Sequence, residues 1–240
     1  MRIAFHTSCN EAYLPGLEVL VAGIRRSMPD VDIVVTSRDI KAVKGCNIVH
    51  PAPILNDIRE YDRWNRALWY YMNAAALTEY DRVIMVGCDQ LIVGDLTQVV
   101  KNPPEFGALV EVGKEGAKLY NGRAPAFCTG MMIITPGDLS ELVSIANERE
   151  WPLSEQTVWN EWAFRNNVDV KQLPEHYDLM RRSFVHFPDR WNKIKGEAVS
   201  IHYVGPDKPW MGPPQDKRYA PLWDLWKSYA DGKPIEVPEA

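Results

Sequence analysis

Asp89 and His202, far apart in the sequence, are of types that hold a divalent cation. Lys208 follows the histidine on a loop shaped by Gly205, Pro206 and Pro209. A carboxylate oxygen and an imidazole nitrogen are hard or borderline ligands. A cation beside a lysine suits the departure of a diphosphate: negative charge develops as the bond to it breaks, and both positive groups offset that charge. In open α/β sheets, ligands bind at the carboxyl ends of strands, so the residues that end each strand carry most information. The first strand ends in Thr7-Ser8-Cys9-Asn10, followed by Tyr13. A central one ends in Gly87-Cys88-Asp89-Gln90, and a third is preceded by Phe127-Cys128-Thr129-Gly130. The last ends in His202-Tyr203-Val204-Gly205.

The elements that must hold these residues are legible as two alternating periodicities. Arg2 to Thr7 reads as a strand; Leu17, Leu20, Val21, Ile24 and Met28 then recur at helical spacing behind Pro15. Val31 to Thr36 and Asn47 to His50 are extended again. Tyr61, Trp64, Leu68, Met72 and Ala75 mark one face of a long helix. Arg82 to Val86 is nearly continuous in apolar residues, as a strand buried on both faces requires. This alternation predicts a Rossmann-like, mostly parallel α/β sheet flanked by helices. In the second half, 106–112, 131–135, 168–173 and 198–204 read as strands, and 139–149 and 154–166 as helices. Tyr219, Leu222, Trp223, Trp226 and Tyr229 form the face of a short aromatic helix, stopped near Gly232-Lys233-Pro234. No repeat or low-complexity linker interrupts the chain, so a single domain over 1–240 is expected, with about 211–240 as a C-terminal tail.

The 240 residues suffice for one large α/β domain, and 46% hydrophobic with 25% charged is ordinary globular composition. A net charge of −5 argues against a nucleic-acid protein, whose affinity comes from a basic face on phosphates. No run of about 18 apolar residues is present, so no transmembrane helix is expected. The start MRIAFHTSCN has no basic segment followed by an apolar one, as a secretory signal would. Cys9, Cys46, Cys88 and Cys128 are widely spaced without a CxxC, which fits reduced thiols in a cytoplasmic protein. The aromatic tail has too few basic residues to argue for a membrane surface. GxxxxGK[ST], GxGxxG, GxSxG and HExxH are all missing, which disfavours nucleotide-loop, dinucleotide, serine-hydrolase and zinc-protease chemistry.

Five segments together resemble the family 8 retaining glycosyltransferases, the glycogenin and lipopolysaccharide galactosyltransferase group. FHTSCNEAYLPGLEVLVAGIRR resembles their nucleotide-binding strand, loop and helix, and LTEYDRVIMVGCDQLIVGDL the segment that carries their metal-binding DxD. APAFCTGMMIITP resembles the strand lining the donor sugar. LSEQTVWNEW followed by VKQLPEHYDL resembles an acidic-Gln helix start with a later Leu-Pro and Tyr. IHYVGPDKPW, the most specific of the five, resembles the closing His-hydrophobic-Gly-x-x-Lys-Pro-Trp. The segments occur in the family's order and touch most of residues 1 to 210. The resemblance implies a GT-A fold, a UDP-sugar donor, Mn²⁺ or another divalent cation, and retention at the anomeric carbon, with a hexosyl group moved to an unidentified acceptor hydroxyl of a glycan, lipid-linked sugar or protein. It also implies that Tyr13 stacks on uracil with Thr7 and Asn10 nearby, and that Asp89 and His202 are metal ligands. Lys208 would face the diphosphate, Gly205 would let backbone approach it, and Cys88 would lie among the donor contacts. Thr129, Gly130, Glu155 and Gln156 would surround the transferred sugar.

The chain departs from the family at three positions. Gly87 stands where the first DxD carboxylate belongs, which removes a ligand and predicts weaker metal binding. Glu155 stands where Asp is usual. The family's basic donor-binding residue aligns without gaps on Tyr70 or Tyr71; one inserted helical turn would bring Arg66 there, with Arg63 the next choice. Plain structural roles compete with several of these assignments: Asp89 as a turn cap, Tyr13 as packing at a helix start, Glu155 and Gln156 as favourable charge and polarity at a helix N-terminus. Cys88 has no general base beside it and is read as a small filler, not a nucleophile. Trp159, Trp162, Trp223 and Trp226 are expected to pack in the core. Gly87 also motivates an alternative function, a degenerate GT-A module that binds nucleotide or a partner without transfer. A nucleotidyltransferase would want a Gly-rich loop after the first strand, and Thr7-Ser8-Cys9-Asn10 is not one.

Overall fold

The computed structural model describes residues 1–59, 66–111, 126–233 and 236–240, with backbone only for Arg66 and Glu111. In chain order its strands are β1 (Ile3–Ser8), β2 (Asp32–Thr36), β3 (Asn47–Val49), β4 (Arg82–Val86), β5 (Gln90–Ile92), β6 (Phe106–Glu111), β7 (Ala126–Ile134), β8 (Lys171–Gln172), β9 (Leu179–Met180) and β10 (Ser200–His202). The chain packs as two compact units, one of Met1–Glu11, Val31–Gly87 and Asn102–Leu173, the other of Ala12–Asp30, Cys88–Lys101 and Pro174–Ala240.

The first unit is built on a seven-stranded sheet in the order β3-β2-β1-β4-β7-β6-β8. Strands β1 to β4 run parallel, β7 is antiparallel to both its neighbours, and β8 pairs parallel with β6. The sheet is mixed and mostly parallel, as the alternation predicts. The apolar run of β4 is explained by its place between β1 and β7, and all nine residues of β7 are buried. Met72, Ala74, Val83, Met85, Met132, Val158 and Trp159 centre the core. The expected long helix is described only from Arg66: it runs to Tyr71 and tightens into a 3₁₀ turn over Met72–Ala76, while its earlier residues lie outside the described ones. Helices Leu139–Ala146 and Ser154–Arg165 complete the unit, the first capped by the Asp138 carboxylate, which accepts from Ser140 N at 2.8 Å.

One irregularity of this sheet shapes a candidate site. Ala108 pairs with Met132, but the next residue, Leu109, pairs with Cys128. Thr129, Gly130 and Met131 are therefore skipped by β6 and form a bulge. Their backbone bonds are found elsewhere: Gly130 O accepts from Gly87 N at 3.0 Å, and the Tyr71 hydroxyl donates to Thr129 O at 3.1 Å.

The second unit contains the sheet β5-β10-β9, with β10 antiparallel to β5 and parallel to β9. Leu91 and Ile201 point into a core with Leu179, Trp191, Tyr203, Leu222, Trp223 and Trp226. The tail helix, Ala220–Ala230, supplies the aromatic face that its spacing predicts. Period-2 alternation puts Gln90, Ser200 and His202 on the opposite face from Leu91 and Ile201. Helix Leu14–Ser27 opens with Pro in its first turn and comes close to the loop after β10. A Cβ on Gly16 would lie 2.5 Å from the Trp210 ring and 2.6 Å from Cys88 O, so only glycine allows that approach.

Candidate active site

The residues that suggest cation and diphosphate chemistry meet in the second unit. Asp89 immediately precedes β5, and His202 closes β10, whose partner in the ladder is Gln90. A backbone bond from Tyr203 N to Asp89 O, 3.0 Å, ties the two segments. His202 Nε2 lies 3.3 Å from Asp89 Oδ1, and His202 Nδ1 lies 3.0 Å from Asp178 Oδ1. Lys208 Nζ bonds the other oxygen of Asp89 and donates to Tyr203 O at 2.7 Å. Asp178 and Lys208 are almost wholly buried.

Burial acts against charge on His202 and Asp89, and their pairing outweighs it. Burial alone would lower the basicity of the His202 ring, but the carboxylates of Asp89 and Asp178 on either side push it up to about 10. Burial would raise the Asp89 carboxyl, yet His202 and Lys208 hold it well below the usual carboxylate range. The result is a compact quartet of two acids and two bases.

The same geometry suits a cation. Two ligands set at right angles about 2.1 Å from one ion are separated by about 3 Å. The observed 3.3 Å between Asp89 Oδ1 and His202 Nε2 is close to that separation. Metal-bound histidines commonly give their other ring nitrogen to a carboxylate, the position Asp178 occupies. Asp89 and His202 therefore fit a divalent metal, which they would hold once the ring gives up its Nε2 proton. Gly87 adds no ligand.

The loop carrying Lys208 is fixed from below and above. Gly205 adopts φ +97°, a left-handed conformation that favours glycine, and Arg181 Nη2 lies 3.0 Å from where its Cβ would be. Arg181 Nη1 donates to Asp207 O at 3.0 Å, while its guanidinium sits 5.1 and 5.2 Å from the Tyr219 and Trp223 rings. Trp210 donates from Nε1 to Ala12 O at 3.0 Å and meets Tyr13 edge-on at 5.6 Å. Tyr13 thus lies beside Lys208, whose Nζ is 5.6 Å from the ring centroid. Cys88 is partly exposed, and no disulfide joins any of the four cysteines.

A second group of expected residues gathers in the first unit, around the β7 bulge. Thr129 N donates to Gln156 Oε1 at 3.3 Å, and Thr129 Oγ1 is 3.5 Å from Glu155 Oε1. Asn160, one turn after Gln156, bonds both Phe127 N and Phe127 O, at 2.8 and 2.9 Å, and so clamps the helix to the strand. The helix starts with Ser154 at φ +46°, a conformation that costs a non-glycine residue about 1–2 kcal/mol. Glu155 is buried, its Oε2 has no hydrogen-bond partner among the described residues, and burial pushes its carboxyl up to about 8. Gly130 Nα–H points back to Cys128 Sγ at 3.4 Å. Tyr71, one of the two residues that align with the family's basic donor contact, instead props up the bulge through its hydroxyl.

Also in the first unit, Thr7 Oγ1 and Asn10 Oδ1 are buried without a hydrogen-bond partner among the described residues. Such atoms cost about 1–3 kcal/mol each until something pairs with them. Arg66 begins a helix, and its side chain lies outside the described residues, as does all of Arg63. Trp159, Trp223 and Trp226 are buried in the two cores and Trp162 packs against the first, as expected. Asp178, Gln90 and Arg181 were not singled out from the sequence. Asp178 falls inside the segment VKQLPEHYDL, but nothing in that run marks its carboxylate as buried. Gln90 Nε2 donates to Asp178 Oδ1 at 3.0 Å, closing a ring that runs Asp89, His202, Asp178, Gln90.

No known family profile matches the chain, and no curated protein matches it. Solved structures do. The galactosyltransferase LgtC, in complex with donor and acceptor sugar analogues, matches with a TM-score of 0.71 at 18% identity, covering 100% of this chain and 98% of that one. The bifunctional glycosyltransferase WbbM matches at 0.70 and 14% identity, over 98% of this chain and 50% of its own. The glycosyltransferase GlyE of Streptococcus pneumoniae TIGR4 matches at 0.66 and 14%, over 95% and 60%. This chain thus spans nearly all of LgtC but only about half of WbbM. Identities this low carry the fold alone, and that fold is the GT-A α/β architecture, a mostly parallel sheet flanked by helices.

Proposed function

We propose that this chain is a retaining glycosyltransferase that moves a hexosyl group from a UDP-sugar to an acceptor hydroxyl with the help of a divalent cation such as Mn²⁺. The observation that carries the reading is the 3.3 Å approach of Asp89 Oδ1 to His202 Nε2, with Lys208 on the other carboxylate oxygen. Asp89 and His202 would hold the cation, which when bound would neutralise charge on the departing diphosphate. Lys208 supplies a second positive charge on a loop fixed by Arg181. The GT-A fold and the closing His-x-x-Gly-x-x-Lys-Pro-Trp support a nucleotide-sugar donor. Thr7, Asn10, Tyr13, Cys88, Gly205 and Arg66 are its proposed contacts, and the unpaired oxygens of Thr7 and Asn10 are suited to polar groups of a nucleotide.

Thr129, Gly130, Glu155 and Gln156 are proposed to hold the transferred sugar. With its proton retained up to about pH 8, Glu155 is a hydrogen-bond donor to a sugar oxygen and a poor nucleophile. That favours substitution on one face over a covalent intermediate. The bond from the anomeric carbon to the phosphate oxygen breaks, the acceptor oxygen bonds to the same face, and its proton passes to the leaving phosphate. A non-transferring module is the second reading, favoured by Gly87 and by Lys208 already pairing with Asp89.

A panel of nucleotide sugars, scored for UDP release with and without Mn²⁺, separates the two. Transfer predicts metal-dependent release that Asp89→Ala abolishes. Calorimetric binding of UDP with no release from any donor and acceptor would leave the module. Full activity in Asp89→Ala would remove the assigned role of that residue.

A further inference from the structure

Asp178 is not itself one of the two ligands, yet it is the most buried member of the quartet, 1% exposed at its side chain. One of its oxygens receives both His202 Nδ1 and Gln90 Nε2, each at 3.0 Å, while Oδ2 has no partner among the described residues. A core carboxylate kept solely for stability would be expected to use both oxygens, because an unpaired buried acceptor is costly. Its placement makes sense if its task is directed at the ring. Bound through Nδ1, His202 is held with Nε2 towards Asp89, and Gln90 fixes Asp178 in turn through a residue adjacent to Asp89 in the chain. The ring of contacts closes on the two ligand atoms.

We infer that Asp178 is a positioning residue for the cation, fixing the tautomer and orientation of His202 and strengthening the ring as a donor where Gly87 supplies no ligand. This rests on the metal-assisted reading above and adds to it what holds and strengthens the ligating ring. A carboxylate behind a ligating imidazole makes the ring a stronger donor, and its loss in comparable sites weakens metal binding about 10- to 100-fold.

The test is Mn²⁺ binding followed by electron paramagnetic resonance of the free ion, with saturating UDP and without it. Asp178→Asn keeps the shape and an acceptor oxygen but removes the charge. It is expected to weaken Mn²⁺ binding by about 10- to 100-fold, leaving metal-free UDP affinity unchanged. In a His202→Gln background the same substitution is expected to have no further effect on Mn²⁺, because its influence passes through the ring. Asp178→Asn within threefold of wild type, or an equal loss in both backgrounds, overturns the inference. If wild type takes up no Mn²⁺ in either arm, the metal-assisted reading falls and Asp178 with it; wild-type binding matched by Asp178→Asn removes only the latter. A measurement on the unmodified chain covers a variant that fails to fold. With Mg²⁺ and UDP bound, ¹⁵N spectra of histidine-labelled protein should show His202 carrying its proton on Nδ1. A proton on Nε2 overturns the inference.

Discussion

Replacing Glu155 by Gln should change how stability depends on pH, in a direction and size set by the site. The folded carboxyl keeps its proton up to about 8 because it is buried, against an ordinary value of 4.5. Its contribution is fully present below pH 4.5, where both states are protonated, and is lost as pH rises towards 8, because only the unfolded chain can release the proton. Each unit of separation is worth about 1.36 kcal/mol, and the unfolded carboxyl is already largely ionised at pH 5, so the loss between pH 5 and pH 7 is about 2.5 kcal/mol. Gln has no proton to lose. Urea unfolding of wild type and Glu155→Gln at pH 5, 6 and 7 should therefore give curves that diverge by about 2.5 kcal/mol, the variant gaining on wild type as pH rises. Parallel pH profiles for the two proteins would refute the claim that Glu155 is buried and protonated. The proposed hydrogen-bond donor role in sugar binding would fall with it.

His6 provides the opposite slope. Burial lowers its ring to about 3 from 6.5, so its contribution is present above pH 6.5 and drains away as pH falls towards 3. From pH 7 to pH 5 the wild type should lose about 2 kcal/mol that His6→Gln does not, read by the same urea titrations. Gly16→Ala pushes a methyl group to within 2.5 Å of Trp210 and 2.6 Å of Cys88 O. A lowered melting temperature, equivalent to about 1–3 kcal/mol of overpacking, is expected. An unchanged melting temperature would show that the helix and Trp210 are not in contact at this point.

The parts of the fold that could be read from the sequence are those fixed by local pattern. Val83–Val86 is apolar throughout because it is buried in a strand that pairs with β1 on one edge and β7 on the other, and the tail helix declares itself by aromatic spacing. Strand β8 falls within the extended reading of 168–173, though only Lys171 and Gln172 pair with β6, whereas β9, two residues long, has no pattern of its own and is created by pairing with β10. The antiparallel course of β7 and its three-residue bulge are decided by the sheet, not by Thr129, Gly130 or Met131 alone. Asp89, His202 and Lys208 stood out because each ends a strand or sits in a shaped loop. Asp178 did not, since nothing in the run Tyr177-Asp178-Leu179 tells a buried acid from a surface one. The ordered motifs identified positions, and side-chain partners had to come from the structure. Lys208, expected to face a diphosphate, is bonded to Asp89.

The closed circuit of Asp89, His202, Asp178 and Gln90 also guards the alignment of its own strands. His202 and Gln90 are cross-strand partners, so sliding β10 by a single position against β5 would turn Leu91 or Ile201 towards the carboxylates and strand charged groups in oil. Short apolar strands of three residues are otherwise poor at choosing where to stop. Here the polar face makes every misaligned docking expensive, and its hydrogen-bonded side chains act as the key that admits one pairing.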